Sequence, residues 1–530
     1  MTSTRQQTMI GVLVFSFIVG VISAPSVARE FTPAEKELIV KSGVTPEREA
    51  YLKTKPYKGI TLTITVNRAG KEGATSGPLY MFGELWGEQT GGKVEVIEIP
   101  FSEHFQKVWI DLFTNTGKYD CFLAGADWLG DLVANDYVVP IEDYMKDPLF
   151  PQWDPATIPP SLKQVWTWEG KWYITPNDCD GMVLYYRKDI LQDPKYQKKF
   201  WDKYGYELPV PPATWEELRD IAELFNGWDW NEDGSVDYGI TMHLKVGGLG
   251  VYHFEAMSVP YVISSANPDM WWFDPKTMKP LVNSPGHVEA LKMLIELSKQ
   301  GPEAAISWRL DEAWDCFLRG DAIFCFTWGD LGSLAQDELK SKVKGKLGCA
   351  PLPGTLRSYD PRSGEWVEFT KPNIVGNVTS IGCWSAPVSR LSKHPEATYD
   401  FLAFMATREA NLWNALYGWT GNDIGRTFTF IKPYGSTDVS EYTKRGWNAE
   451  DAKEYSGAYY KNFYNLLQGP PLRIPGSVSY NSTLDLYVSQ AVVGEVSPKE
   501  ALDKVYDEWE RITKKLGRAK QIELYKASLK

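Results

Sequence analysis

Between Gly59 and Ile141 apolar strands alternate with amphipathic helices, and few folds accept that pattern. Gly59–Val66 (GITLTITV) reads as a strand and Pro78–Thr90 as a helix. Lys93–Ile99 (KVEVIEI) is the next strand, and Ser102–Thr114 the next helix, with Phe105, Trp109, Leu112 and Phe113 on one face. Tyr119–Ala124 and Val138–Ile141 continue as strands on either side of Asp131–Asn135. Strands joined by helical crossovers run parallel, so a doubly wound sheet is expected. Such sheets take ligands outside the carboxyl ends of their strands. Those ends are Asn67 and Arg68, Pro100 and Phe101, and Asp127 and Trp128.

A second stretch, Lys171–Ile190 (KWYITPNDCDGMVLYYRKDI), carries a strand at Trp172–Thr175, a turn at Pro176–Asp180 and a nearly continuous apolar strand at Gly181–Tyr186. It is expected to cross from one α/β lobe to another, with acidic side chains at the crossing. Beyond it, Thr214-Trp215-Glu216-Glu217 is a capping box opening a helix with Leu218, Ile221, Ala222 and Phe225 inward. Pro285–Lys299 is a further helix, and Gly320–Thr327 and Lys346–Pro353 are strands. Gly354–Val375 reads as an exposed loop, after which Thr379–Val388 returns to the first lobe. The tail helix opening at Ser497-Pro498 turns Leu502, Val505, Trp509 and Ile512 to one side. Residues 29–58 form a helical extension, with a capping box at Thr32–Glu35 and a second helix start at Thr45-Pro46. The expected division is 59–178 with 376–430 as the first lobe, and 179–375 with 431–530 as the second. A chain of 530 residues can fill both.

A net charge of -12 without any basic run excludes a nucleic-acid partner, because phosphate binding needs clustered Lys and Arg. At the N-terminus Arg5 precedes an apolar run from Met9 to Ile22 and the small residues Ser26 and Ala28. This is the pattern of a secretory signal spanning 1–28, cut after Ala28; a retained anchor helix is the alternative. No Cys stands near the cut, so a periplasmic protein without a lipid anchor is expected. The six cysteines, Cys121, Cys179, Cys316, Cys325, Cys349 and Cys383, lack regular spacing. One bridge, between Cys316 and Cys325, is allowed, with buried free thiols elsewhere.

The order of these segments resembles the extracellular solute-binding proteins of bacterial ABC importers, in the carbohydrate-binding group related to maltose-binding protein. The matching stretches are Thr90–Tyr144, KWYITPNDCDGMVLYYRKDIL from Lys171, PPATWEEL at Pro211–Leu218 and FLRGDAIFCFTWG at Phe317–Gly329. SKHPEATYDFLAFMAT at Ser392–Thr407 and SPKEALDKVYDEWERI at Ser497–Ile512 complete them. The resemblance implies a two-lobed α/β fold (type II periplasmic-binding-protein fold), each lobe a doubly wound, mostly parallel sheet, closing over a solute by a hinge. It also implies a monomer that hands its solute to the transmembrane subunits of an ABC permease, with no catalysis and no required cofactor. Glu30–Lys58, Asn267–Asn283 and Gly418–Leu472 depart from the family core.

Aromatic faces stack on the C–H face of a sugar, while carboxylates and amides accept its hydroxyls. Asp127-Trp128, Trp328 with Asp330, and Trp419 with Asn422 and Asp423 combine both groups. Asp178 and Asp180 join them from the crossing and Arg68 from the first strand end, as candidates for a sugar or polyol site. Any single Trp is more often core, and Trp109 and Trp509 are assigned there. A cationic or peptide solute suits the same acidic, aromatic set. A secreted glycan hydrolase using Asp178 and Asp180 is the alternative from another class. No H-E-x-x-H, G-x-S-x-G or P-loop motif occurs. Asp229, Asn231, Asp233, Ser235 and Asp237 place oxygen donors on alternate residues around Gly234, as in a structural Ca²⁺ loop. Thr241 stands where an EF-hand has its bidentate Glu, so an ion-free acidic turn is the competing reading.

Overall fold

The computed structural model describes residues 31–67, 76–377, 384–416, 422–469 and 471–529. The expected signal segment, Arg68, Trp419 and Cys383 lie outside them. Strands β1 (Thr61–Val66), β2 (Lys93–Glu98) and β3 (Cys121–Phe122) make a three-stranded sheet in the order β2-β1-β3. Both pairings are parallel, with Thr61 opposite Lys93 and Ile64 opposite Cys121. The alternation of β1 puts Leu62, Ile64 and Val66 in the core at zero exposure. Helices Gly77–Thr90 and Phe101–Thr114 are the crossovers. One expected inward residue is corrected, since Phe113 is 80% exposed. Eight residues beyond Phe105, it stands about 80° round the helix from it. Beyond β3, Ala124 and Val138 meet Ser385 and Ser389 in antiparallel bridges, and Ile174 meets Pro387, so the returning chain lies along the sheet edge.

The second sheet is built from β4 (Val183–Arg187), β5 (Tyr238–Thr241), β6 (Ala322–Thr327) and β7 (Leu347–Ala350), in the order β5-β6-β4-β7. β5 and β6 pair in parallel, whereas β4 runs antiparallel to β6 and β7. The parallel expectation thus holds for one pair here: β4 arrives from the crossing rather than through a helical crossover. It is buried at every position, which explains its unbroken apolar sequence. Helix Trp215–Phe225 has the expected capping box at Thr214 and Glu217. The two sheets and their helices form two α/β lobes.

The stretch read as a loop is instead a β-hairpin, β8 (Thr355–Asp360) and β9 (Glu365–Asn373). Its turn is held by the Asp360 carboxylate, which accepts the Arg362 N–H at 2.9 Å. Gly364 adopts φ 77°, a conformation that costs glycine little. The opposed Tyr359 and Trp366 rings lie 5.7 Å apart, and the Arg357 guanidinium covers Trp366. Polar residues on both faces conceal this hairpin from a reading by hydrophobic periodicity.

The extension forms the helices Pro33–Lys41, with both bonds of its capping box, and Pro46–Leu52. It is welded to the first lobe: Phe31 packs 4.4 Å from Trp413, and Arg48 pairs with the buried Asp400. The allowed bridge is absent. Cys316 and Cys325, like the three other described cysteines, are free and buried, packing as small apolar side chains. Among the described residues no helix is long and apolar enough to cross a membrane.

Candidate functional site

The ends of β1, β2 and β3 open on one cavity of about 180 Å³. Asn67 follows β1, His104 and Phe105 stand on the helix after β2, and Asp127 and Trp128 occupy the single turn Ala126–Trp128 after β3. This is where a parallel sheet places its ligand. The opposite wall comes from two distant helices. Val251–Val262 supplies Tyr252, and Ser477–Val492 supplies Asn481, Ser482 and Asp485. Between them the loop before Val251 presents Leu249 at φ 72°. That left-handed conformation costs a residue with a Cβ about 1–2 kcal/mol, and such strain gathers at ligand clamps. Trp384, on the returning chain, closes the side.

Trp128 is held rigidly, ringed by Phe105 at 4.9 Å, His104 at 5.7 Å, Trp109 at 5.9 Å and Trp384 at 6.4 Å between centroids. Trp109, half-buried and packed on the core as expected, thereby also supports the cavity wall. Trp328 stands behind the wall, 5.4 Å from His243 and 6.0 Å from Tyr252.

Two carboxylates, Asp127 and Asp485, stand among the polar residues of the lining. Asp127 is 5% exposed and its Oδ1 has no hydrogen-bond partner. Burial, and then the charge of Asp131, push its carboxyl up to about 7. Asp485 accepts the Gly247 N–H at 2.6 Å, tying its helix to the glycine loop, and burial raises it too. Behind the wall, burial and the charges of Asp127 and Asp485 hold Glu255 well above the usual carboxylate range, and its Oε1 is unpartnered. Burial lowers His104 to about 4, so the ring is neutral at pH 7. No Lys or Arg is among the described residues that line the cavity. The site thus offers anionic and neutral hydrogen-bond acceptors beside aromatic faces.

The acids of the crossing form a second cluster. Asp178 accepts the backbone N–H of Asp423 at 2.9 Å and that of Trp384 at 3.2 Å. Asp423 in turn accepts the Gly329 N–H at 2.7 Å and the Tyr459 hydroxyl at 2.9 Å. Burial first, and then the charges of Asp180 and Asp423, raise Asp178 well above its ordinary value; burial and Asp330 do the same for Asp423. The Asp178 carboxylate clasps chain segments more than 200 residues away from it, whereas Asp423 reaches segments 94 and 36 residues away. Asn422 borders a separate void of about 30 Å³ with Asn177 and Trp384, the size of about one water.

Of the candidates read from the sequence, Asp127 and Trp128 line the main cavity. Asp178, Asp180, Asp330 and Asp423 gather beside it, and Arg68 and Trp419 lie outside the described residues. His104, Tyr252, Asn481, Ser482, Asp485 and Trp384 were not foreseen. The glycines at 247, 248 and 250 were an available signal for a backbone approaching a ligand.

The acidic loop read as a Ca²⁺ site or an ion-free turn is folded by its own hydrogen bonds. Asp229 accepts the N–H groups of Asp233 and Gly234, Asp233 that of Ser235, and Asp237 those of Trp230 and Asn231. Asn231 turns its amide to Asp237. These bonds close the loop on itself, and no group of three or more His, Cys, Asp or Glu placed to hold a metal ion occurs among the described residues.

Residues 84–422 match the family model described as bacterial extracellular solute-binding protein. A probable ABC transporter-binding protein of Deinococcus radiodurans is 23% identical over 421 residues, 79% of this chain and 85% of that protein. Among solved structures, an ABC transporter solute-binding protein of Agrobacterium radiobacter K84 in complex with ribitol superposes with a TM-score of 0.65 at 22% identity. It covers 86% of this chain and 100% of that one. One from Agrobacterium vitis S4 with bound D-mannitol gives 0.62 at 21% identity, covering 87% and 99%.

Proposed function

The chain belongs to the bacterial extracellular solute-binding proteins, and from that premise we propose that it captures a sugar or polyol and delivers it to an ABC permease. The observation that carries this reading is the cavity between the strand ends and the helices of Tyr252 and Asp485, with its aromatic faces and hydrogen-bond acceptors. The complexes of similar structures with ribitol and D-mannitol support it. Asp127 and Trp128 are the ligand contacts in this reading; Trp328 backs their wall, Asn422 borders the neighbouring void, and Arg68 and Trp419, outside the described residues, are further candidates. Asp178, Asp180, Asp330 and Asp423 set the crossing that positions the two contacts.

The first lobe is 59–178 with 376–430, and the second 179–375 with 431–530. A solute touching both lobes only when they are closed shifts the population toward closure, and the permease recognises the closed shape. No covalent step is needed. Residues 1–28 would direct the protein to the periplasm, where it acts as a monomer; no ion is needed in the Asp229–Asp237 loop. The test is a thermal-shift screen of sugars and polyols, followed by calorimetry and recovery of the solute. A hit raises the melting temperature, by about 2.7 kcal/mol of stabilisation at a hundredfold the Kd, and returns chemically unchanged. Release of a cleaved product overturns the reading.

A further inference from the structure

Resting on that reading, we propose that the solute carries a protonated amine among its hydroxyls, as an amino sugar or amino polyol does, and that Asp127 and Asp485 receive it. Acids and aromatic rings face the cavity. Asp127 and Asp485 line it, and the phenol of Tyr252, which also lines it, feels the charges of Asp127, Glu255 and Asp485 together. Asp127 is almost wholly buried, with Oδ1 unpartnered, and Glu255 behind it leaves Oε1 unpartnered. No cationic side chain among the described residues lining the cavity answers these acids, and His104 is held neutral by burial.

A neutral polyol can donate a hydroxyl to the unpartnered Asp127 Oδ1, but it brings no positive charge to offset ionisation of the acids, which burial and the charge of Asp131 oppose at Asp127 and which burial and the charges of Asp127 and Asp485 oppose at Glu255. Desolvated like charges repel far more strongly than in water. An ammonium has three donors and one positive charge, so a single group meets both needs. The surrounding rings of Trp128, Trp384 and Tyr252 attract a cation over their faces and stack on the carbon skeleton beside it. A carboxylate or phosphate on the solute would be repelled by these acids, with no cationic side chain among the described lining residues to offset it.

The test holds the skeleton constant and varies the charge. Full-length mature protein is titrated calorimetrically at neutral pH with sorbitol, 1-amino-1-deoxysorbitol and gluconate, and with D-glucose, D-glucosamine and D-glucuronate as a second series. The amine of at least one series is expected to bind tenfold or more tighter than its neutral counterpart, and gluconate not at all. Asp127→Asn is expected to erase that difference. Asp485→Asn, which keeps the shape of its bond to Gly247, serves as a second variant should Asp127→Asn fail to fold. Neutral members binding as tightly as the amines, or more tightly, overturn this inference and leave sugar capture standing. Gluconate as the strongest ligand overturns it as well, by revealing a cationic group at the cavity. Failure of both series, when the wider screen of neutral sugars yields a ligand, also overturns the amine. Failure of every sugar and polyol sinks the capture reading with it.

Discussion

Arg48 and Asp400 meet in two parallel hydrogen bonds, one of 2.6 Å and one of 2.9 Å, with side chains 2% and 0% exposed. The pair fastens the N-terminal extension to helix Pro395–Ala406 of the first lobe. Asp400 also accepts the Trp86 indole N–H at 2.8 Å and the Tyr57 hydroxyl at 3.2 Å. Breaking one side of a buried pair costs about 3–5 kcal/mol. Arg48→Met is therefore expected to lower the unfolding free energy read from urea titration by that order, and with it the midpoint. Asp400→Leu is expected to lower it further, because it strands the guanidinium, the indole and the phenol together. Equal midpoints for wild type and Arg48→Met would show that the extension is not anchored through this pair.

Asp127 gives a pH signature. Its carboxyl is raised from 3.8 to about 7 in the folded protein, so between those values the native state holds a proton that the unfolded chain has lost. Its contribution is fully present below about pH 4 and is lost as pH rises through 7. Asp127→Asn cannot titrate. The stability of the variant relative to wild type is expected to grow from about pH 4 by at most about 1.4 kcal/mol per pH unit, levelling off above pH 7. Denaturant unfolding of both proteins across this range reads the difference, and a flat difference curve contradicts the burial of Asp127.

The acidic loop yields a contrast between stability and metal. Asp237 is wholly buried and accepts from Trp230 N, Asn231 N and Asn231 Nδ2 between 2.8 and 3.0 Å. Asp237→Ala leaves those donors without their acceptor, at a cost of about 1–3 kcal/mol for each buried group left unpaired. The melting temperature is expected to fall in the variant and to be indifferent to chelator or millimolar calcium in the wild type. A calcium-dependent rise in the wild type would restore the ion to the loop.

What the sequence made legible was local. β1 to β3 and the capping boxes at Thr32 and Thr214 follow from spacing within a dozen residues, and the strand ends pointed to Asn67, Asp127 and Trp128. The far wall was hidden for a physical reason. Helix Val251–Val262 is buried at every position, so Tyr252 sits in an apolar run indistinguishable from core. Asn481, Ser482 and Asp485 share one helix face, but nothing local says which surface that face meets. The crossing acids were found for their position in the chain, yet their bonds to Trp384 N, Asp423 N and Gly329 N reveal a clasp that composition cannot separate from a binding site. The hairpin Thr355–Asn373 was missed because its residues are polar on both sides.

The two cavity walls touch at Gly130, and this gives the most discriminating mutation. A Cβ at Gly130 would lie 2.1 Å from the Arg473 carbonyl oxygen and 2.8 Å from Ile474 Cα. Next to it the Asp131 carboxylate accepts the Gly476 N–H at 2.8 Å, immediately before the helix that carries Asn481, Ser482 and Asp485. The turn bearing Asp127 and Trp128 is thus pressed backbone to backbone against the start of the opposing helix. A backbone carbonyl cannot swing aside as a side chain can, so Gly130→Ala must part the two segments. Overpacking of this kind costs about 1–3 kcal/mol, and the shifted helix moves Asp485 away from Asp127. Both the melting temperature and the affinity for the best-bound solute are expected to drop, the affinity about tenfold or more. Asp131→Asn, which keeps the close approach and weakens only the charged hydrogen bond to Gly476, is expected to lose less on both measures. Wild-type affinity in Gly130→Ala would mean that the walls are not set by this contact.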